Sequence, residues 1–169
     1  MKLTIRKIGE LGRIVTGKTP STQNPSFWNG NILFITPEDL QHGKDIIHSV
    51  RHITNEGVES VKGALVPAES ICVSCIGNIG YAAKTVCPCI TNQQINTIVP
   101  SNEYSSDFIY YKIRSIWSYF KLREGNATTI PILSKSDFAE IAVHLPDLPT
   151  QLRIAGIMQN AVHLPASLL

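Results

Sequence analysis

Short apolar runs separated by turn residues dominate the first hundred positions of this chain. Their β-branched and aromatic residues predict strands at 13–16, 31–35, 46–50, 70–76, 81–86 and 94–99. Two short helices are predicted between them, one starting at Thr36 and Pro37 and the other at Thr54, because hydroxyl and proline residues favour helix starts. A brief strand at 64–67 ends at its proline.

The pattern changes after position 105. Apolar residues recur at three- and four-residue steps and predict a helix over 106–124, with Gly125 at its C-cap. Ser134 and Asp137 predict a capping box for a short helix. Alternating apolar residues at 141, 143 and 145 predict a last strand. The predicted fold class is therefore α/β of the α+β kind, a compact β-rich domain with short helices.

A stiff segment at 146–149 (PDLP) indicates a domain boundary. We expect one domain over residues 1–148 and the truncated start of a coiled-coil helix over 149–169. In that helix a 3-4-3 spacing typical of a coiled-coil seam ends before Pro165. The seam, which we expect to dock against a partner helix, consists of Ile154, Ile157, Ala161 and Leu164.

The overall composition says less about function than the positions of the charged residues along the chain do. The chain is 43% hydrophobic and 17% charged, with a formal net charge of +2, which permits nucleic-acid binding without requiring it. Basic residues cluster in the opening segment and along 112–123, where they indicate either a solvated helix face or a stripe that follows phosphates. The start lacks a signal peptide and no apolar run could span a membrane, so we expect a cytoplasmic protein with reduced cysteines.

The sequence offers little for catalysis or metal binding. Cys72 and Cys75 lie inside a predicted strand, where alternation sends them to opposite faces, so they are better explained as buried small residues than as zinc ligands. No phosphate-binding loop, nucleophile elbow or acid–base pair occurs. Residues 24–27 (NPSF) faintly echo a signature of DNA amino-group methyltransferases, but no glycine-rich loop for S-adenosylmethionine accompanies them.

Amides and hydroxyls instead concentrate in loops, at 17–21 (GKTPS), 27–31 (FWNGN) and 91–96 (TNQQIN). An amide both donates and accepts, so asparagine or glutamine can bond an adenine at two atoms. On a strand, Gln94 and Asn96 would share one face while Ile95 points into the core. Two alternatives stay open: the amides either read bases or tie loops together, and Trp28 either contacts DNA or anchors its loop.

The ordered set of motifs resembles the target recognition domain of type I restriction-modification specificity subunits. It covers about residues 4–162 and comprises KIGELG at 7–12, TGKTPS at 16–21, FWNGNI at 27–32, ITPEDL at 35–40, SCIG at 74–77, TNQQIN at 91–96 and LPTQLRIA at 148–155. The resemblance implies that two such domains each read half of a bipartite DNA site, with conserved helices as a spacer. It also implies a subunit that is not itself catalytic, with partner methyltransferase and restriction subunits that use S-adenosylmethionine, ATP and magnesium.

On this resemblance we expect the chain to bind double-stranded DNA and to need no cofactor of its own. The expected polar and aromatic contacts are Lys18, Thr19, Ser21, Trp28, Asn78, Asn92, Gln93, Gln94, Asn96, Asn126 and Thr128. The expected contacts to the phosphate backbone are Lys84, Arg114, Lys121 and Lys135. A single recognition domain fits a half-subunit that dimerises through its C-terminal helix, a truncated gene product or an excised piece. Two other functions remain open, a methyltransferase fragment and a protein-interaction module without a DNA role.

Overall fold

The computed structural model describes residues 2–116, 120–121 and 130–162. Their strands are β1 (Thr4–Lys7), β2 (Gly12–Thr16), β3 (Trp28–Ile35), β4 (Asp45–Ile46), β5 (Arg51–Ile53), β6 (Leu65–Val66), β7 (Ile71–Ser74), β8 (Ala82–Thr85), β9 (Cys89–Thr91), β10 (Ile95–Pro100) and β11 (Ala142–Leu145). The helices are α1 (Asn55–Ser60), α2 (Ser106–Ser115), α3 (Lys135–Glu140) and α4 (Leu148–Val162). Short 3-10 turns lie at Ile8–Glu10, Pro25–Phe27, Asp39–Gln41 and Lys62–Ala64. This mixture confirms the predicted α+β class.

Two sheets form the centre of the fold. One has the strand order β2-β10-β7-β8-β4 and the other β5-β3-β9-β6, while β1 and β11 pair separately. On β7, Cys72 points into one core cluster, whereas Ile71 and Val73 point into another. On β3, Ile35 joins the cluster of Cys72, whereas Phe34 joins a third. Because side chains alternate along a strand, the two sheets face each other across the cluster that contains Cys72 and Ile35.

Helices cover the outer face of the five-stranded sheet. Phe108 of α2, Phe138 of α3 and Ala155 of α4 are buried in the same cluster as Val73. At the start of α4 the buried Gln151 accepts a hydrogen bond from the Ser105 backbone N–H at 3.1 Å. Its Nε2 donates to the carbonyl of residue 146 at 2.9 Å. The first turns of α4 are therefore fastened to the N-terminus of α2.

Two of the predicted helix starts, at Thr54 and Ser134, carry their capping hydroxyls in the structure. Thr54 Oγ1 accepts a hydrogen bond from the Gly57 N–H at 3.1 Å and starts α1. Ser134 Oγ accepts from the Asp137 N–H, also at 3.1 Å, and starts α3. A capping hydroxyl can be recognised from sequence because it satisfies backbone donors within the same turn.

The prediction of a strand over 46–50 was wrong beyond Ile46. Strand β4 ends there, and the chain turns before β5 begins at Arg51. The turn is held by the buried carboxylate of Asp39, whose Oδ1 accepts from the Val50 N–H at 3.0 Å. Asp39 Oδ2 also accepts from the backbone N–H and hydroxyl of Thr36, at 2.7 and 2.8 Å. The predicted helix at Thr36 is accordingly a loop that leads into the 3-10 turn at Asp39–Gln41.

The predicted long helix over 106–124 was also too long. Helix α2 ends at Ser115, and Ile116 is its C-cap. Phe120 and Lys121 are helical again, and Phe120 is fully buried. The predicted C-cap at position 125 lies outside the described residues. Periodicity could not reveal the break at Ile116, because the apolar positions on both sides of it pack into the same core.

The apolar seam predicted for α4 does not lie on a single surface. Ile154 packs against the core of the domain, whereas Ile157 is 62% exposed and Ala161 is exposed. Leu164 lies outside the described residues. The domain boundary at 148/149 stays a prediction. None of the helices in the described part of the chain is long and apolar enough to cross a membrane.

Candidate nucleic-acid interface

Gly17 brings two polar loops together that are far apart in sequence. Its N–H donates to the Ile95 carbonyl at 3.1 Å. A Cβ atom at this position would lie 2.1 Å from the Asn92 carbonyl oxygen and 2.3 Å from that of Thr91. Only glycine allows so close an approach. The loop after β2 therefore packs directly against the turn between β9 and β10.

Side chains of these two loops bond one another. Thr19 Oγ1 donates to Gln93 Oε1 at 2.6 Å, and Asn92 Nδ2 donates to Gln94 Oε1 at 2.9 Å. Asn92 Oδ1 also accepts from the Gln94 N–H at 3.1 Å. The Gln93 side chain is exposed, Gln94 is half-buried and Asn92 is nearly covered. We refer to Thr19, Asn92, Gln93 and Gln94 as the amide surface.

An open concavity of about 420 Å³ adjoins the amide surface. It places Asn78 beside Asn92 and Gln94, so three of the predicted contacts share one depression. Its lining consists of Thr36, Pro37, Glu38, Ile76, Gly77, Asn78, Asn92 and Gln94. Residues 36–38 were not among the predicted contacts, although they belong to the motif ITPEDL. Their loop is held by Asp39, and the three-residue spacing between Thr36 and Asp39 was the signal that could have identified it.

Trp28 anchors its own loop. Its Nε1 donates to the Ser21 carbonyl at 3.0 Å, and its ring meets that of Phe34 edge-on with centroids 5.2 Å apart. The Arg51 guanidinium lies 3.8 Å from the ring centroid. Because the Trp28 ring packs against both Phe34 and Arg51, Trp28 fits the anchoring alternative better than a contact to DNA. Arg51 was not predicted as a site residue.

The structure contradicts the assignment of Lys84 as a phosphate contact. Lys84 is only 7% exposed, and its Nζ lies 2.9 Å from Asp107 and 3.0 Å from Glu69. Burial alone would lower the pKa of Lys84, but hydrogen bonds and charge from the two carboxylates raise it above its ordinary value. The Lys84 ammonium is therefore held by carboxylates within the protein and does not face a phosphate.

Asn96 is the second predicted contact that the structure contradicts, because its side chain is buried. It is 3% exposed, and its Oδ1 accepts from Thr16 Oγ1 at 2.7 Å. Ile95 points into the core as predicted. The amide of Asn96 ties β10 to β2, which is the structural alternative that the sequence left open.

The other predicted cations are dispersed. Lys18, Arg114 and Lys135 are exposed, and Lys121 Nζ lies 5.9 Å from the Tyr81 ring centroid. Lys135 borders an apolar groove with Arg13, which was not among the predicted contacts. Of the exposed lysines only Lys18 lies in the loop of Gly17 and Thr19. Two further predicted contacts, Asn126 and Thr128, lie outside the described residues.

The loop that echoes a methyltransferase signature has a local structural role. Asn24 Oδ1 accepts from the N–H and hydroxyl of Ser26, at 3.2 and 2.9 Å, and caps the turn Pro25–Phe27. The cysteines are free thiols, and Cys72 and Cys75 point into different clusters as predicted. Burial raises the pKa of Cys72 to about 12, so the thiol form is inert. No group of three metal-ligating side chains occurs within residues 2–116, 120–121 and 130–162.

A family model for the type I restriction modification DNA specificity domain matches residues 2–164. The chain belongs to this family. The specificity domain is 33% identical over 144 residues to the HindI specificity subunit of Haemophilus influenzae, covering 84% of the chain and 31% of that protein. It is 32% identical over 158 residues to the MjaIX specificity subunit of Methanocaldococcus jannaschii, covering 91% and 36%. The chain thus spans about a third of the length of these relatives.

Solved structures show the same fold for the specificity domain. A chain from a type I R-M system assembly superposes with a TM-score of 0.71 at 18% identity, over 94% of this chain and 38% of that one. The HsdS subunit from Thermoanaerobacter tengcongensis gives 0.70 at 16% identity, over 94% and 36%. The family model covers the amide surface, the concavity and α4 together.

Proposed function

We propose that this specificity domain reads a short sequence of double-stranded DNA as one half of a bipartite target. It performs no chemistry itself. Methyl transfer and cleavage belong to partner subunits, which carry S-adenosylmethionine, ATP and magnesium. The relatives named above are specificity subunits of type I restriction enzymes, which supports this assignment.

The observation that carries the proposal is the amide surface. Gln93 Oε1 has two lone pairs, and the Thr19 hydroxyl occupies one of them. The second lone pair and the Nε2 donor can then meet adenine N6 and N7 in the major groove. Because Thr19 fixes the orientation of the amide before DNA arrives, less side-chain entropy is lost on binding.

Exposed cations supply the sequence-independent part of binding. Lys18 adjoins the amide surface, and Lys135 with Arg13 borders the groove beside α3. Phosphate contacts of this kind fix the register of a protein on the duplex, whereas base contacts carry the sequence information. A small number of such cations is consistent with a formal net charge of only +2.

The test is methylome sequencing of the source cells with and without this gene. Loss of a bipartite methylation motif on deletion is the expected result, and restoration by the intact gene is the control. An unchanged methylome would exclude the proposal. If the chain is a protein-interaction module instead, any DNA binding will be salt-sensitive and free of sequence preference.

We further propose that the exposed face of α4 docks against a partner helix, either of a second copy or of a companion subunit. Leu152, Ile157 and Met158 are exposed on this helix. Lengthening α4 at its C-terminal end should increase assembly in sedimentation velocity. Ile157→Lys in the extended chain should reverse the increase, whereas Asn160→Lys, at a polar exposed position, should not. Sedimentation that does not change with the extension counts against this role.

A further inference from the structure

Two exposed isoleucines lie beside the concavity. Ile130 and Ile132 are 71% and 67% exposed, whereas Leu133 is only 2% exposed. Because neighbouring side chains of an extended segment point to opposite sides, Ile132 projects away from the side on which Leu133 is buried. Neither isoleucine belongs to the contacts considered so far.

The segment that carries Ile132 is held by backbone hydrogen bonds on both sides. The Leu133 N–H donates to the Cys75 carbonyl at 2.8 Å, and the Gly77 N–H donates to the Pro131 carbonyl at 3.0 Å. Between them Ile132 forms an antiparallel bridge with Ile76. The exposed side chain is therefore presented from a fixed backbone.

The bridge also determines which way Ile132 points. Directly opposed residues of an antiparallel pair project to the same face. Ile76 lines the concavity together with Asn78 and Gln94. Ile132 therefore projects to the same face as Ile76, beside that depression, so an apolar side chain adjoins the polar ones.

We propose that Ile132 packs against the 5-methyl group of a thymine in the target half-site. In the major groove an A·T pair presents adenine N6 and N7 beside thymine O4 and the methyl group, and apolar side chains read that methyl. Amides within reach of the adenine and an isoleucine beside them match this pattern. The inference rests on the proposed function, because it needs duplex DNA at the amide surface.

The test uses the intact chain, purified from its source cells with any methyltransferase it carries, and a duplex that contains its methylation motif. Each thymine is replaced singly by deoxyuridine, which removes only the methyl group. At one position the wild type should lose about fourfold in affinity, as expected for one buried methyl group. The Ile132→Ala variant should bind thymine and uracil duplexes equally at that position. Ile5→Ala, at an exposed isoleucine on β1, is the matched control and should keep the thymine preference.

Several results would overturn the inference. The inference is wrong if no uracil replacement changes the affinity of the wild type for the duplex. It is also wrong if the Ile132→Ala variant keeps the wild-type preference for thymine. A variant that binds DNA normally but loses its methyltransferase would assign Ile132 to a protein interface instead. If no methylation motif depends on the gene, the proposed function is excluded, and the inference about Ile132 is excluded with it. Thermal unfolding of each variant shows whether the fold is intact.

Discussion

At the scale of single residues, Gly17 decides whether the candidate site is assembled. A Cβ atom there would lie far inside the contact distance of the carbonyl oxygens of Thr91 and Asn92, and a backbone oxygen cannot rotate away. We expect Gly17→Ala to destabilise the domain by roughly 1–3 kcal/mol, as overpacking does. Gly63→Ala, where a Cβ meets nothing within 4 Å, is the control and should change little. Urea denaturation measures both, and equal stability of the two variants would contradict the tight packing at Gly17.

Gln93 is the residue on which the proposed reading of bases depends most directly. Gln93→Ala should weaken binding to the cognate duplex by roughly 1–3 kcal/mol, because a bidentate contact to one base is lost. Binding to random duplexes should change little. Gln159→Ala, at an exposed amide on α4, removes the same group from another surface and should have no effect on cognate binding. Fluorescence anisotropy at fixed salt distinguishes these outcomes, and an equal loss on both duplexes would make Gln93 a structural or backbone residue.

Residue types could be read from the sequence, but their partners could not. The loops that contain Thr19 and Gln93 were recognised because clustered amides and hydroxyls are visible in the chain itself. Lys84 was misassigned because Glu69 and Asp107, which neutralise it, lie on other segments. Trp28 and Asn96 could be weighed both ways, and contacts over long sequence separation decided between the two alternatives.

At the scale of elements, local signals predicted starts better than ends. The caps at Thr54 and Ser134 work within one turn, so the sequence reveals them. The turn before β5 depends on Asp39, eleven positions upstream of Val50, and no local pattern shows such a bond. Helix α4 was foreseen, but its apolar stripe is divided between the core at Ile154 and the exposed face at Ile157.

The start of α2 is fastened to the sheet by charge. Asp107 lies 2.8 Å from Lys44 and 2.9 Å from Lys84, which join α2 to β8 and the segment before β4. Burial alone would raise the pKa of Asp107, but these two cations lower it below its ordinary value of 3.8. A carboxyl whose folded-state pKa is lowered stabilises the fold above its unfolded-state pKa, and the benefit is lost as pH falls through the folded value.

We therefore expect Asp107→Asn to reduce the free energy of unfolding near pH 7 by roughly 1–3 kcal/mol, because two ammonium groups lose a charged acceptor. The difference from wild type should begin to shrink as the pH falls below about 4, where the carboxyl of the unfolded chain starts to bind protons, and should disappear as the pH falls through the lower folded-state pKa of Asp107. Glu103→Gln, at an exposed position, should show no such pH-dependent gap. Denaturant unfolding at several pH values measures this, and a gap that is constant with pH would exclude the proposed charge cluster.

At the scale of the whole molecule, stability and recognition use different charges. Lys44 and Lys84 are consumed by carboxylates between α2 and the sheet. The amide surface, in contrast, lies where two loops meet. The loop after β2 contributes a single lysine, Lys18. Binding should consequently depend on salt only moderately, because each phosphate contact contributes about −0.9 to the slope of log K against log salt.

This division predicts how lysine variants change the salt slope. Lys18→Ala should weaken binding to all sequences alike and reduce the slope by about 1, because one phosphate contact is lost. Lys84→Met should lower stability but leave the slope unchanged, since its ammonium is buried against carboxylates. Lys62→Ala removes an exposed charge from the turn before β6 and controls for the change in net charge. Anisotropy titrations over a series of salt concentrations give the slopes, and a reduction as large for Lys62→Ala as for Lys18→Ala would mean that DNA is held by diffuse surface charge and not at the amide surface.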